Sequence, residues 1–375
     1  MKNKRYLSII RPFELKATKK VLQVNPTIAP TRKEPEQTII SVYDYTAEEV
    51  NIEQLNKVED CYKYVLTPNV SWINLDGLKK ADVENICNHF GIHPLIQEDI
   101  LSSGQRPKMD DLNHLLFGLL NMLYFNAETS SVESEQVSIV LGPNFVISFQ
   151  EDASRDVFNP LREKIKVAGS KLRKSGSDYL FYSLIDILVD NYFLIMEKLG
   201  EKIEDLEEDI THHPDTRTLA KINMLRKEMI VLKRSISPVR ELINGILRSE
   251  SSLIENKTEK YFKDVYDHIV QANELAENYR DMMINLQDLY LSNVNLKMNE
   301  VMKVMAVVTC LLAPATVIGG IFGMNFNKIP WLHNPYGFFI AVGSMLIIPV
   351  WMIWMFKKEG GFKSPEGATI IFVYK

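Results

Sequence analysis

Residues 323 to 335 read GMNFNKIPWLHNP, a short loop rich in Asn, Gly and Pro held between two long uncharged runs. An Asn side chain offers a neutral carbonyl oxygen and an amide donor. Asn325 stands where the first run must stop, so its amide meets solute at a surface. A symmetric ring of such oxygens would line the mouth of a pore. It would grip a hydrated cation by its waters. A ring of carboxylates would bind more tightly and slow release.

A second set of residues leads toward that loop. At a spacing of three and four, the chain presents Asp288, Ser292, Asn295, Asn299, Met302, Met305 or Ala306, Thr309, Ala313, Thr316 and Gly320. The line is polar or small below, apolar above, and ends at Asn325. Polar groups at bilayer depth normally face a bundle interior or a water-filled path. Small residues also serve tight helix packing, and Gly319-Gly320 fits that role. Both readings stay open on spacing alone. A lumen demands several copies around an axis, because one helix encloses nothing.

The elements that position these residues follow from hydropathy. Residues 304–324 and 336–356 carry no charge, and about 20 helical residues cross the hydrocarbon core. Trp331, Tyr336, Trp351 and Trp354 suit the interfacial belts. Lys297 and Lys303 precede the first span, and Lys357, Lys358 and Lys363 follow the second; the intervening loop has Lys328. The positive-inside rule puts both termini in the cytoplasm and the GMN loop outside. From Ile246 to Ala313 there is neither Gly nor Pro, which predicts one stalk helix of about 100 Å that includes the first span.

Two helices are predicted before the stalk. One starts near Ser177 and repeats Ile185, Leu188, Tyr192, Ile195, Leu199, Ile203, Leu206 and Ile210. The next starts near Asp215, with Pro214 at its start, and repeats Leu219, Ile222, Leu225, Met229, Leu232 and Ile236. That spacing is the seam of packed antiparallel helices. Acids load the first helix (Glu201 to Asp209) and bases the second (Arg217 to Arg234), as in a mutually attractive hairpin; an acidic tip that collects cations is the alternative. Earlier still, QTIISVYDY, YVLTPNVSWINL, LLFGLLNMLYF and the hairpin QVSIVL-GPN-FVISFQ read as strands, and ADVENICNHF before Gly91 as a helix. The predicted organisation is an α+β membrane protein. It has an α/β domain at 1–175, a hairpin at 176–245, the stalk at 246–325, an external loop at 326–335, a span at 336–356 and a tail at 357–375.

Much is excluded. A net charge of -5 gives no reason to expect nucleic acid. Cys61, Cys87 and Cys310 stand far apart and suggest neither a zinc site nor a disulfide framework. The basic N-terminus lacks an apolar core, so no signal peptide is expected. No phosphate-cradling Gly loop, HExxH or GxSxG occurs, and the chain carries no catalytic constellation.

GMN directly after a first span, a second span near the C-terminus and a long preceding helix together resemble the CorA family of magnesium transporters. FGIHPLIQEDIL, QRPK, ESEQVSIVL, YSLIDILVDNYF, YFKDVYDH and NEVMKV resemble its bacterial members, so the likeness covers roughly residues 35 to 360. It implies a funnel-shaped homopentameric channel in the cell inner membrane, carrying Mg²⁺ and also Co²⁺ and Ni²⁺. Gly323, Met324 and Asn325 match its selectivity ring. Asp288, Asn299, Thr309, Ala313, Thr316 and Gly320 match pore-lining positions, and Met302 and Met305 the hydrophobic constriction. Family members are held shut by divalent ions between subunits. Asp99 in QEDIL and Asp264 in YFKDVYDH match those acids, with Glu98 and Asp186 as neighbours. Mg²⁺ would thus be both cargo and regulator. Two features depart from the family pattern: the external loop has Lys328 and no acid, and the tail 361–375 runs past the expected end. A zinc transporter of the same architecture, and a membrane-anchored sensor that transports nothing, are the alternatives.

Overall fold

The computed structural model describes residues 35, 37–112, 114–126, 129–212, 214–325, 329–330 and 334–358. The N-terminal segment, Asn327, Lys328, Trp331 and the tail 361–375 lie outside the described residues. The chain divides into two compact units, Met1–Tyr290 and Leu291–Lys375.

The first unit is built on a seven-stranded sheet of β1 (Ile39–Tyr45), β2 (Val50–Leu55), β3 (Val70–Asp76), β4 (Lys108–Asp111), β5 (Leu116–Asn126), β6 (Ser131–Leu141) and β7 (Phe145–Gln150). Their order is β2-β1-β3-β7-β6-β5-β4, and only β3 and β7 pair in parallel. The β6–β7 turn forms as expected: Gly142 N donates to Phe145 O at 2.8 Å. A Cβ on Gly142 would run into the Phe145 ring, which would have to shift to admit it. The predicted strand YVLTPNVSWINL begins late. Val58–Val65 winds as a 3₁₀ helix, and β3 starts at Val70, beyond Pro68. A residue that lacks an N–H cannot donate to the ladder.

Both faces of the sheet are covered. On one face, Ile73, Leu75, Phe117, Val140, Ile147 and Phe149 pack with α1 (Lys80–His89) and α2 (Pro94–Leu101). On the other lie α3 (Asn159–Lys166), α4 (Ser177–His212) and α5 (Thr216–Arg248). Phe158 stands edge-on to Trp72 there, with ring centroids 5.9 Å apart. Tyr192 of α4 donates to the Asn121 carbonyl of β5 at 2.6 Å.

The hairpin seam forms as the spacing predicts: the repeating α4 positions from Ile185 to Ile210 are all buried, and of those on α5 Leu219 alone stays exposed. Pro214 does not open α5. Asp215 is the cap, accepting from Arg217 N at 2.8 Å and Thr218 N at 2.9 Å. The stalk does not begin at Ile246 either. α5 continues to Arg248, and α6 runs from Asn256 to Phe322. The break falls on a serine run. Ser249 Oγ accepts from Ser251 N at 3.1 Å and Ser251 Oγ from Leu253 N at 3.4 Å, bonds that compete with the helical ladder. The last helix, α7, spans Gly337–Lys358.

Three described helices are long and apolar enough to cross a membrane: α4, α6 and α7. Burial separates them. The apolar window of α4 is 56% buried within the chain, whereas those of α6 and α7 are 0% and 6% buried. Helix α4 therefore uses its apolar surface as protein core. The other two offer theirs to a bilayer.

Buried carboxylates sit at one end of the sheet. Asp76 accepts from Asn74 Nδ2 at 2.9 Å and Gln150 Nε2 at 3.0 Å. Glu135 Oε1 accepts from the Glu151 and Asp152 backbone N–H groups at 2.7 and 2.8 Å, while its buried Oε2 has no hydrogen-bond partner. Burial pushes Glu135 up to about 7, and burial with the charge of Asp156 pushes Asp76 up to about 6. Each carboxyl binds its proton more tightly folded than unfolded. Their contribution to stability is full below the unfolded carboxylate range and is lost as pH rises through about 6 to 7. One such proton adds a slope of about 1.4 kcal/mol per pH unit. Glu135→Gln should flatten the fall in melting temperature between about pH 5 and 7 relative to the parent. Equal slopes for parent and variant would refute this.

Candidate ion pathway and metal site

In the second unit, half-buried positions on α6 are Val307, Leu311, Pro314, Ala315, Ile318 and Phe322. They recur at three and four, so they form one face. The neighbour is α7. A Cβ on Gly319 would stand 3.6 Å from Met345 Cε, whereas one on Gly320 would meet nothing within 4 Å. The predicted stripe lies on the other side. Asn299, Met302, Met305, Thr309, Ala313, Thr316 and Gly320 are all exposed in the single chain. At about 100° per residue they cluster opposite the face that meets α7. Packing against α7 is thus not what the stripe is for.

The two hydroxyls on that face are tied down. Thr309 donates to Met305 O at 2.9 Å and Thr316 to Leu312 O at 3.1 Å. Each spends its hydrogen on the helix and keeps oxygen lone pairs facing outward. Helix α6 ends at Phe322, and Gly323 N still donates to Gly319 O at 2.9 Å. A Cβ on Gly323 would come 3.0 Å from that carbonyl, which accounts for glycine at the stop. Met324 and Asn325 follow, both exposed. Asp288 is also exposed, on α6 before the unit boundary.

The first unit contains a group with metal-ligand geometry. Asp186 and Asp190 of α4 and His268 of α6 have ligand atoms within 4.8 Å of one another. Asp186 and Asp190 are one helical turn apart, so they share a face. Burial holds the Asp186 carboxyl above its usual range, and the charge of Asp190 raises it further. Tyr182, which donates to Asp186 at 3.1 Å, and His268 act the other way; Asp264 adds a further raising charge. His268 Nδ1 is buried without a hydrogen-bond partner. Two carboxylates and one imidazole form an O,O,N donor set that fits a divalent cation, and a cation there would relieve the repulsion.

The expected metal residues are therefore divided. Asp186 joins Asp190 and His268, and Asp264 acts on it through its charge. Asp99 and Glu98 sit on α2, whose core lies on the opposite face of the sheet. Asp99 is paired with Lys108 at 2.5 Å, and Glu98 edges an open groove of about 470 Å³ with Lys80, Gln97 and Ser102. Asp190 and His268 escaped the sequence reading. Their signal was present as four-residue steps, from Asp186 to Asp190 and from Asp264 to His268.

The sequence profile of CorA-like Mg²⁺ transporter proteins matches residues 68–358. The chain belongs to the CorA family. It is 39% identical over 334 residues to the cobalt/magnesium transport protein CorA of Thermotoga maritima, covering 89% of this chain and 95% of that protein. It is 21% identical over 290 residues to the zinc transport protein ZntB of Yersinia pseudotuberculosis, covering 77% of this chain and 86% of that one. Among solved structures, the complete CorA of Methanocaldococcus jannaschii superposes with a TM-score of 0.69 at 21% identity, covering 86% of this chain and 98% of that one. CorA membership agrees with a mixed sheet followed by long helices, the last two apolar enough to span a membrane.

Cysteine labelling checks the facing of α6. Cys61 and Cys87 are buried, so a Cys310→Ala background leaves no exposed native thiol. In that background Thr316→Cys should react with a water-soluble maleimide in native membranes, and Ile318→Cys should not. Labelling at 318 with silence at 316 would reverse the assignment.

Proposed function

We propose that the chain is a divalent-cation channel that admits Mg²⁺, and also Co²⁺, through a homopentameric pore in the cell membrane. One observation carries this reading: the polar and small face of α6 lies opposite the face that meets α7 and leads to Asn325. Copies assembled about an axis would turn Asn299, Met302, Met305, Thr309, Ala313, Thr316 and Gly320 inward. Met302 and Met305 would form the narrow apolar neck. Gly323 stops the helix so that the Asn325 amides ring the outer mouth, with Met324 between. Magnesium sheds its waters slowly. Neutral amide oxygens can hydrogen-bond that shell and let it pass, driven inward by the membrane potential.

The gate rests on the carboxylates. With no ion, Asp186, Asp190 and Asp264 repel one another. A divalent ion bound there, and between Asp99, Glu98 and a neighbouring subunit, stabilises the closed state. Depletion restores the repulsion and favours the open state, by differential binding to two conformations. Helix α6 carries both His268 and the proposed pore face, and that shared helix is the route by which the metal site would act on the path. The likeness to zinc transport proteins keeps a second cargo in play, and the His268 imidazole suits Co²⁺, Ni²⁺ and Zn²⁺ better than Mg²⁺.

Flux into proteoliposomes tests the function. The parent should take up Mg²⁺, internal Mg²⁺ should slow it, and Asn325→Ala should abolish uptake while the oligomer still assembles. Zn²⁺ uptake that Mg²⁺ does not compete with would favour the zinc reading. Undiminished Mg²⁺ uptake by Asn325→Ala would rule out the amide ring.

A further inference from the structure

We propose that Tyr182 is a positioning residue for the metal site, fixing the Asp186 carboxylate so that its second oxygen faces Asp190 and His268. The inference rests on the reading of Asp186, Asp190 and His268 as a divalent-cation site.

Tyr182 lies on α4 one turn before Asp186, and its hydroxyl donates to Asp186 Oδ2 at 3.1 Å. The ring is 8% exposed and held on three sides. Tyr179 stands 5.2 Å away by ring centroids, Tyr261 5.3 Å and Phe262 edge-on at 5.8 Å. Phe262 is fully buried, so the packing that locks the ring belongs to the core. A phenol fixed this way cannot follow a carboxylate that swings. It holds one.

Asp186 needs holding. Asp190, one turn further along α4, and Asp264 of α6 both present like charge to it. Without a donor, repulsion turns a free carboxylate toward solvent and away from its partners. The Tyr182 hydrogen bond occupies Oδ2 and leaves Oδ1 for an ion. Groups that orient metal ligands commonly matter about 10- to 100-fold in affinity. The arrangement also couples the two helices. Helix α6 supplies the ligand His268 and, nearly two turns earlier, Tyr261 and Phe262, which pin the Tyr182 ring.

The test is thermal unfolding of the full-length protein in detergent, first with chelator and then over a series of MgCl₂ and of CoCl₂ concentrations. Tyr182→Phe keeps the ring and removes the hydroxyl. Measured against its own metal-free melting temperature, it should raise the half-effective concentration about tenfold. Tyr179→Phe, in the same aromatic cluster, should not shift it. Asp186→Asn should raise the midpoint by itself, and Tyr182→Phe should add nothing in that background, since one acts through the other. An unshifted Tyr182→Phe beside a shifted Asp186→Asn overturns the role of Tyr182. So does a Tyr182→Phe shift that persists in full in the Asp186→Asn background. An Asp186→Asn chain with the parent midpoint overturns the metal site itself.

Discussion

A helix that enters a bilayer must account for every polar side chain it carries, because hydrocarbon offers no partners. Helix α6 meets this constraint by dividing its surface. One side, from Val307 to Phe322, is closed against α7, and the other keeps Asn299, Thr309, Thr316 and Gly320 exposed. The hydroxyls have given their hydrogens to their own backbone. What remains outward is oxygen. That face is not used by the neighbouring helix, and in the proposed pore water and the other copies of the chain cover it. The pore reading follows from this division more than from the GMN tripeptide.

The first unit solves a different problem, that of storing negative charge. Asp186 and Asp190 lie with His268, and the charge of Asp264 reaches Asp186, while Asp76 and Glu135 are buried on strands β3 and β6. The two groups differ in how they are neutralised. Asp76 and Glu135 are served by amides, backbone N–H groups and protons, with no imidazole nearby among their named contacts. The Asp186 cluster is half-open and carries nitrogen as well as oxygen donors. A proton settles the first; a metal ion suits the second. The fold thus separates buried acids neutralised by hydrogen bonds and protons from a half-open group with a metal-ligand donor set.

The spans, the α4–α5 hairpin and the β6–β7 turn were legible because each rests on a local pattern: an uncharged run, a three-and-four repeat, a GPN turn. Features that depend on distant partners were not. β2 and β4 are short, polar strands that exist only by pairing with β1 and β5. The network of Asn74, Asp76, Ser148 and Gln150 reads as ordinary strand polarity until β3 and β7 lie side by side. The missing break in the stalk has another cause. Absence of Gly and Pro suggested continuity, yet serines stopped the helix through their own side-chain hydrogen bonds. GMN and the stripe are patterns of spacing, proposed as pore residues on that ground, whereas Asp190 and His268 needed the packing of α4 on α6 to become a group.

The central claim is that the exposed face of α6 looks toward an axis shared by several copies. A cryo-electron microscopy reconstruction of the protein in lipid nanodiscs measures this directly. The account predicts an oligomer in which Thr316 and Asn325 stand nearer the symmetry axis than Leu311 and Ile318. A monomeric particle, or an oligomer with that order of distances reversed, would contradict it.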